Sequence, residues 1–466
     1  MNRAEAVMKR NRNPILKADY PNPDVIRVGD VYYMLTSTLH FLPGALILRS
    51  YDLVNWEIGG YAFEKFMGTE EGRMNNERTC YGCGMREGSL RYHKGWFYVC
   101  FAVEEAGKTY FYRAEDVEGP WEGRCVDACF PGCSLFFDGD DRIFLAYGRE
   151  ERRMVELLPD LSGPAQGGRE RPVPAGGDAP AFRGGSVENG DGNWFAVTTQ
   201  DGGAAGRMPA LVPVCREGAP AVQDAGGEVR VPSYVETVST RPGYRYEPLY
   251  VGDDFSYRER EEGGWKLKPQ WQWNHEPDPA LWEIQRGGGL CITTGKLCTN
   301  VTQAVNTLTQ RMFAPGSTVE VTVDASDLNE GDYAGICALQ GCYGMIAVTR
   351  ELRRYYLVVI EREDTEKNRN TASADYMPGI LTEKVNLTEP AVRLRMEVDF
   401  RDGADKVTFS YREPREGGKW RRAGGEHRLY FGRDHLAGCR CGLSIFATKS
   451  VGGSALFLDF CYERTS

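Results

Sequence analysis

A unit of two short β-prone runs joined by a Gly- or Asp-containing turn recurs in the first half of the chain, and it limits the fold more than any other feature. It occupies 25–37, 89–103, 134–147 and 186–199. In the first copy Val25-Ile26-Arg27-Val28 leads through Gly29-Asp30 into Val31-Tyr32-Tyr33-Met34, which predicts a hairpin. The later copies turn at sites such as His93-Lys94-Gly95 and Asp138-Gly139-Asp140-Asp141. A hairpin alone buries too little apolar surface to be stable. Regular repetition therefore predicts radial four-stranded units, an all-β propeller. Alternation of apolar and polar residues in 317–323, 355–360 and 392–400 predicts antiparallel strands in the second half, while 363–390 reads as loop.

The chain has 466 residues and is 41% hydrophobic, enough for two or three domains with a large core. A net charge of -10 with mixed signs argues against a nucleic acid or an anionic membrane surface, which need basic faces. A neutral sugar fits better. Residues 1–13 are basic and polar without the apolar stretch of an export signal, and no run approaches the roughly 20 apolar residues of a membrane helix. The expectation is a cytoplasmic protein whose fourteen cysteines are reduced thiols. Cys80-x-x-Cys83 and the series Cys125, Cys129, Cys133 have spacings seen in zinc sites, but a second Cys-x-x-Cys pair is lacking and the five histidines are scattered. No metal or cofactor is expected.

Ahead of the first hairpin, Pro21-Asn22-Pro23-Asp24 is an extended lead-in whose prolines fix φ and can hold one side chain at a defined point. This lead-in, the run Thr36-Ser37-Thr38-Leu39-His40-Phe41-Leu42-Pro43-Gly44 and the run Ser50-Tyr51-Asp52-Leu53-Val54-Asn55-Trp56 together resemble the opening of glycoside hydrolase family 43, the β-xylosidase and α-L-arabinofuranosidase type. Gly119-Pro120-Trp121, Leu161-Ser162-Gly163-Pro164 and Gly206-Arg207-Met208-Pro209 continue the likeness. Trp271-Gln272-Trp273-Asn274-His275-Glu276-Pro277 and Gly331-Asp332-Tyr333-Ala334-Gly335 resemble the C-terminal concanavalin-like β-sandwich of the β-xylosidase branch. The resemblance implies a propeller over 1–245 and a sandwich over 246–466, with the Trp271 to His275 segment packed between them. It also exposes a gap. The interval 165–183 is a Gly-, Pro- and Ala-rich connector where relatives carry a whole blade. A blade takes about 40–50 residues, so four blades are predicted instead of the family's five, with the connector as irregular chain.

Inverting hydrolysis needs one carboxyl group to activate water and another to protonate the leaving oxygen, roughly 6.5–9.5 Å apart. In the family a third carboxylate tunes the acid. The resemblance puts the base position at Asn22 and the tuner position at Gly132, and neither residue is a carboxylate. The acid belonged to the missing blade. Candidate replacements are Glu87 and Asp178 for the acid, with Glu170 also in the connector, and Asp19 or Asp24 for the base. Arg86-Glu87-Gly88 stands where relatives have an aromatic sugar platform. Arg86, Arg207, His40 and Phe41 are the expected substrate contacts, Arg207 through its match to a family arginine and His40 and Phe41 as the first-blade rim.

These residues imply a small-carbohydrate-recognising protein of the family in which hydrolysis is lost or strongly reduced. The alternatives are an active exo-glycosidase on xylo- or arabino-oligosaccharides with relocated carboxylates, and an assembly subunit of an active homologue. Homo-oligomerisation through the sandwich is also open.

Overall fold

Strand pairing within each recurring unit builds one blade. The computed structural model describes residues 9–66, 80–165, 170–172, 185–214, 230–259, 264–362, 365, 376–414 and 418–465. The chain enters through β1 (Lys9–Arg12), then runs β2 (Asp24–Val28), β3 (Val31–Thr36), β4 (Phe41–Leu42), β5 (Gly44–Ser50) and β6 (Glu57–Phe63). Strand β4 leaves the blade, and the sheet β2-β3-β5-β6 is blade 1. Val28 pairs with Val31 across the Gly29-Asp30 turn, where Gly29 takes φ 59, a left-handed value that a residue without Cβ adopts freely. Blade 2 is β7 (Ser89–His93), β8 (Trp96–Val103), β9 (Lys108–Ala114) and β10 (Glu122–Val126). Blade 3 is β11 (Ser134–Phe137), β12 (Ile143–Tyr147), β13 (Arg153–Leu157) and β14 (Arg171–Pro172). Blade 4 is β15 (Ser186–Glu188), β16 (Trp194–Asp201) and β17 (Arg207–Val214). Finally β18 (Tyr234–Thr237) pairs with β1, so the two ends of the propeller chain hold each other.

Among the described residues the propeller thus has four blades. The connector is not irregular throughout, however. Arg171 and Pro172 pair with Met154 and Arg153 as the outer strand of blade 3, an edge place that proline tolerates because its missing N–H faces away from the ladder. The rest of the interval, 166–169 and 173–184, lies outside the described residues. Apolar side chains such as Leu35, Ile47, Phe63, Leu90, Val99 and Phe101 fuse blades 1 and 2, and Tyr98, Phe111, Leu135 and Leu145 fuse blades 2 and 3. Every described cysteine is a free thiol.

The sandwich stacks a seven-stranded antiparallel sheet on an eight-stranded one. Gly316–Asp324 and Ala391–Asp399 alternate between buried and half-buried positions, as their period-two patterns require. One stretch departs from expectation. Ile380–Asn386, read as loop, is a strand paired with Arg354–Glu361. It is an exposed edge whose Thr382-Glu383-Lys384 carries no apolar alternation, so nothing local marks it as a strand. The chain crosses between the domains over a few residues. Tyr244 and Glu247 still bond to Glu57 of blade 1, at 2.6 and 2.9 Å, whereas Val251 donates to Gln310 of the sandwich at 3.0 Å.

The two domains share a sheet. Strand β19 (Gln272–Asn274) pairs on one side with Thr307–Arg311 and on the other with β4, so the eight-stranded sheet ends on a strand of the propeller. Trp271 and Trp273, 2% and 6% exposed, are buried along this seam.

Candidate functional site

Asn22, Arg86 and Gly132 stand just before the inner strands β2, β7 and β11, which brings them to one face of the propeller. Asn22 has φ 49, a left-handed conformation that asparagine tolerates better than most residues. Its amide Nδ2 donates to the Arg86 carbonyl at 2.6 Å and to Ser37 Oγ at 3.3 Å. The Ser37 hydroxyl donates to the same Arg86 carbonyl. A carboxylate could not make the first of these bonds, because both partners would be acceptors. The local structure is therefore built around an amide at position 22.

The Arg86 guanidinium turns to its own loop, donating from Nε to the Gly82 carbonyl at 2.7 Å and pairing through Nη2 with Glu105 at 2.5 Å. Glu87 lies half-buried beside it. Glu104 and Glu105 open a short turn after β8, and Glu104 pairs with Arg149 of blade 3. Sequence reasoning missed Glu105, because Glu104-Glu105 reads only as a polar hairpin turn and its partner comes from a different loop. Gly132, which the resemblance puts at the tuner position, has φ 63 in a turn held by the Gly148 N–H bonding to the Pro131 carbonyl at 2.8 Å. The thiols nearby stay protonated. Burial pushes Cys83 up to about 11, and burial raises Cys129, with Glu104 and Glu105 adding to the shift.

The carboxylates flanking Asn22 are committed elsewhere. Asp19 Oδ1 accepts from the Arg207 N–H at 2.8 Å and Oδ2 from the Gly438 N–H of the sandwich at 3.0 Å. Burial raises its pKa against these bonds. Asp24 is the first residue of β2. It accepts from the Leu90 N–H and Arg91 Nη1 in blade 2, both at 2.8 Å, and from the Gly185 N–H at 3.0 Å, so it ties blades together. Glu170 pairs with Arg153 at 2.9 Å on the outside of blade 3. Asp178 lies outside the described residues.

Arg207 is exposed, with its guanidinium 5.4 Å from the Phe431 ring. His40 and Phe41 do not form an open rim. The pairing of β4 with β19 draws them into the interdomain core, where they are 0% and 1% exposed. There His40 Nε2 meets Asn274 Oδ1 at 3.0 Å, and its ring lies 4.4 Å from His275 and 5.5 Å from His435. Burial holds His275 and His435 down at about 3 and His40 well below the usual value. Arg440, fully buried, places its guanidinium 3.7 Å from the Phe41 ring and bonds Gln272 at 2.9 Å. Among the described residues no group of His, Cys, Asp and Glu is placed to hold a metal ion.

Two family models match the chain. Residues 11–163 match the glycosyl hydrolases family 43 model, and 263–463 match the β-xylosidase C-terminal concanavalin A-like domain. A β-xylosidase of Formosa agariphila is 41% identical over 112 residues, 23% of this chain and 18% of that protein. The chain spans well under half the length of the curated relatives it matches. The bifunctional GH43-CE structure of Bacteroides eggerthii superposes with a TM-score of 0.84 at 32% identity, covering 99% of this chain and 64% of that one. A family 43 hydrolase, engineered at its active site to display endo-xylanase and exo-arabinofuranosidase activity, superposes at 0.83 with 22% identity, over 98% of this chain and 100% of that one. That last likeness speaks to fold alone.

Proposed function

For a chain that belongs to glycoside hydrolase family 43, with the concanavalin A-like domain of the β-xylosidase branch behind it, we propose a small-carbohydrate-recognising protein in which glycoside hydrolysis is lost or strongly reduced. The observation that carries this reading is the Asn22 amide, which the family resemblance aligns with the base and which donates to the Arg86 carbonyl at 2.6 Å. Water activation needs a group that takes a proton, and an amide does not. Asp19 and Asp24, the nearest carboxylates in sequence, spend their oxygens on backbone and guanidinium donors. Both carboxylates are also buried, 6% and 3% exposed, away from the water they would have to activate.

Recognition survives the loss of chemistry because it needs shape and hydrogen bonds, not a proton shuttle. Arg207 is exposed on β17 beside the Asn22 lead-in, to which the Tyr20 N–H ties it by a 3.0 Å bond to the Arg207 carbonyl. In this reading its guanidinium binds sugar hydroxyls, and Arg86, held by Glu105, borders the space from blade 2. The sugars proposed are xylo- and arabino-configured oligosaccharides, the class named for the similar proteins.

The test is turnover of aryl β-xylosides and α-L-arabinofuranosides by the purified chain, together with calorimetric titration of xylotetraose and arabinotetraose. Turnover at background with sugar binding weakened by Arg207→Ala is expected. Turnover of about 1–10³ s⁻¹ that disappears in Glu87→Gln or Glu105→Gln would refute the reading and establish a relocated acid.

A further inference from the structure

The inner strands of all four blades run from the Asn22 face to an opening at the other end of the propeller axis. A cavity of about 740 Å³ lies there, within the roughly 300–1,000 Å³ of small-ligand sites. It is lined along the lengths of β2, β7, β11 and β15, from Val25 and Leu135 near their starts to Gly29, His93 and Glu188, and by Trp194 of β16. Along β2 its wall begins at Val25, three residues and at most about 10 Å beyond Asn22, and runs to a mouth at Gly29. None of Asn22, Arg86 and Arg207 lines it.

We propose that this cavity is a second, non-hydrolytic carbohydrate site that takes a neutral sugar unit. Rings line its wall. Tyr92 is 42% exposed, and Phe136 and Trp194 are half-buried. Such faces suit the C–H face of a sugar ring. The polar groups favour a polyol over an anion. Every cation at the opening already has an oxygen partner in the protein. Arg91 bonds Asp24 at 2.8 Å and Ser134 at 2.6 Å, and His93 bonds Asp141 at 3.0 Å. Arg27 bonds the Gly29 and Glu188 carbonyls at 2.9 and 3.0 Å. The Glu188 carboxylate and the hydroxyls of Tyr92 and Ser186 make no hydrogen bond or ion pair with the described residues. A carboxylate acceptor between hydroxyls meets sugar O–H donors and repels phosphate. Glu188 is the sole carboxylate among the described lining residues, so the pair that hydrolysis requires is missing and a bound glycoside stays intact.

The experiment is isothermal titration of the full chain with xylotetraose, arabinotetraose and inorganic phosphate, repeated on Trp194→Ala and the near-isosteric Glu188→Gln after matching their thermal midpoints to the wild type. We expect two saccharide-binding components, one weakened by Arg207→Ala and a second that persists in Arg207→Ala, weakens about tenfold in each cavity variant and is not displaced by phosphate. Binding that is lost in Arg207→Ala and untouched in both cavity variants would overturn this site while leaving the Asn22-face reading standing. Phosphate binding that depends on Trp194 would overturn the ligand class. No saccharide heat at millimolar concentration would overturn the site outright.

Discussion

Replacing Asn22 with Asp puts a carboxylate where the family resemblance places the base and also breaks a hydrogen bond that the fold uses. The amide Nδ2 sits 2.6 Å from the Arg86 carbonyl oxygen. Substitution puts a carboxylate oxygen there. Ser37 can turn its hydroxyl to the new charge, but the Arg86 carbonyl then loses both of its side-chain donors. Leaving such a group unsatisfied costs about 1–3 kcal/mol, and because Asn22 is half-buried the lower part of that range, about 1–2 kcal/mol at neutral pH, is the prediction. Protonation repairs the contact, since a carboxyl O–H donates to a carbonyl as the amide does. The folded pKa of the introduced carboxyl group is therefore raised above the unfolded value of about 3.9. A raised folded pKa means stability that is fully present below the unfolded pKa and lost as pH rises through the folded one. The deficit against wild type is accordingly small near pH 4 and opens fully by pH 7. The assay compares thermal midpoints of wild type and the Asn22→Asp variant at both pH values, with aryl-glycoside turnover measured at pH 7. Equal stability at pH 7, or an equal deficit at both, would refute the hydrogen-bond assignment. Turnover restored by the substitution alone would refute the argument that the acid is missing too.

The buried imidazoles make the wild type acid-sensitive. His275 and His435 titrate at about 3 in the fold against about 6.5 unfolded, so stability is held above pH 6.5 and lost on acidification, by up to about 1.4 kcal/mol per pH unit for each ring. A His275→Phe variant should show a flatter midpoint-against-pH curve below pH 6, and an unchanged slope would contradict the assignment. Asp19→Ala strips the partner from the Arg207 and Gly438 N–H groups and should cost on the order of 2–4 kcal/mol in denaturant unfolding; a loss under 1 kcal/mol, about the size of an ordinary surface change, would count against its bridging role. Trp273→Ala, at the shared sheet and 5.0 Å from the Trp282 ring, should cost about 3–5 kcal/mol and split calorimetric unfolding into separate propeller and sandwich transitions. A single transition at the wild-type midpoint would contradict it.

What a residue does with its immediate neighbours along the chain was legible in the sequence. The hairpin of 25–37 follows from β-branched runs meeting at Gly29-Asp30, and the strand Gly316–Asp324 from its alternation, because both patterns repeat over distances shorter than one strand. The shortness of 165–183 was enough to remove a blade, since chain length bounds what a segment can build. That positions 22 and 132 hold an amide and a glycine was legible too, and the family resemblance makes them candidate base and tuner positions. The structure alone decided what those substitutions sit against. Asn22 finds its acceptor at Arg86, 64 residues away, and Asp19 finds Gly438 at a separation of 419. His40 becomes a core residue because a two-residue strand of the propeller pairs with Asn274 and its neighbour in the sandwich. Hydrogen bonding and desolvation act over a few ångströms of space whatever the sequence separation. Which donor meets which acceptor, and which charge is stripped of water, is therefore fixed only when the two domains close on each other.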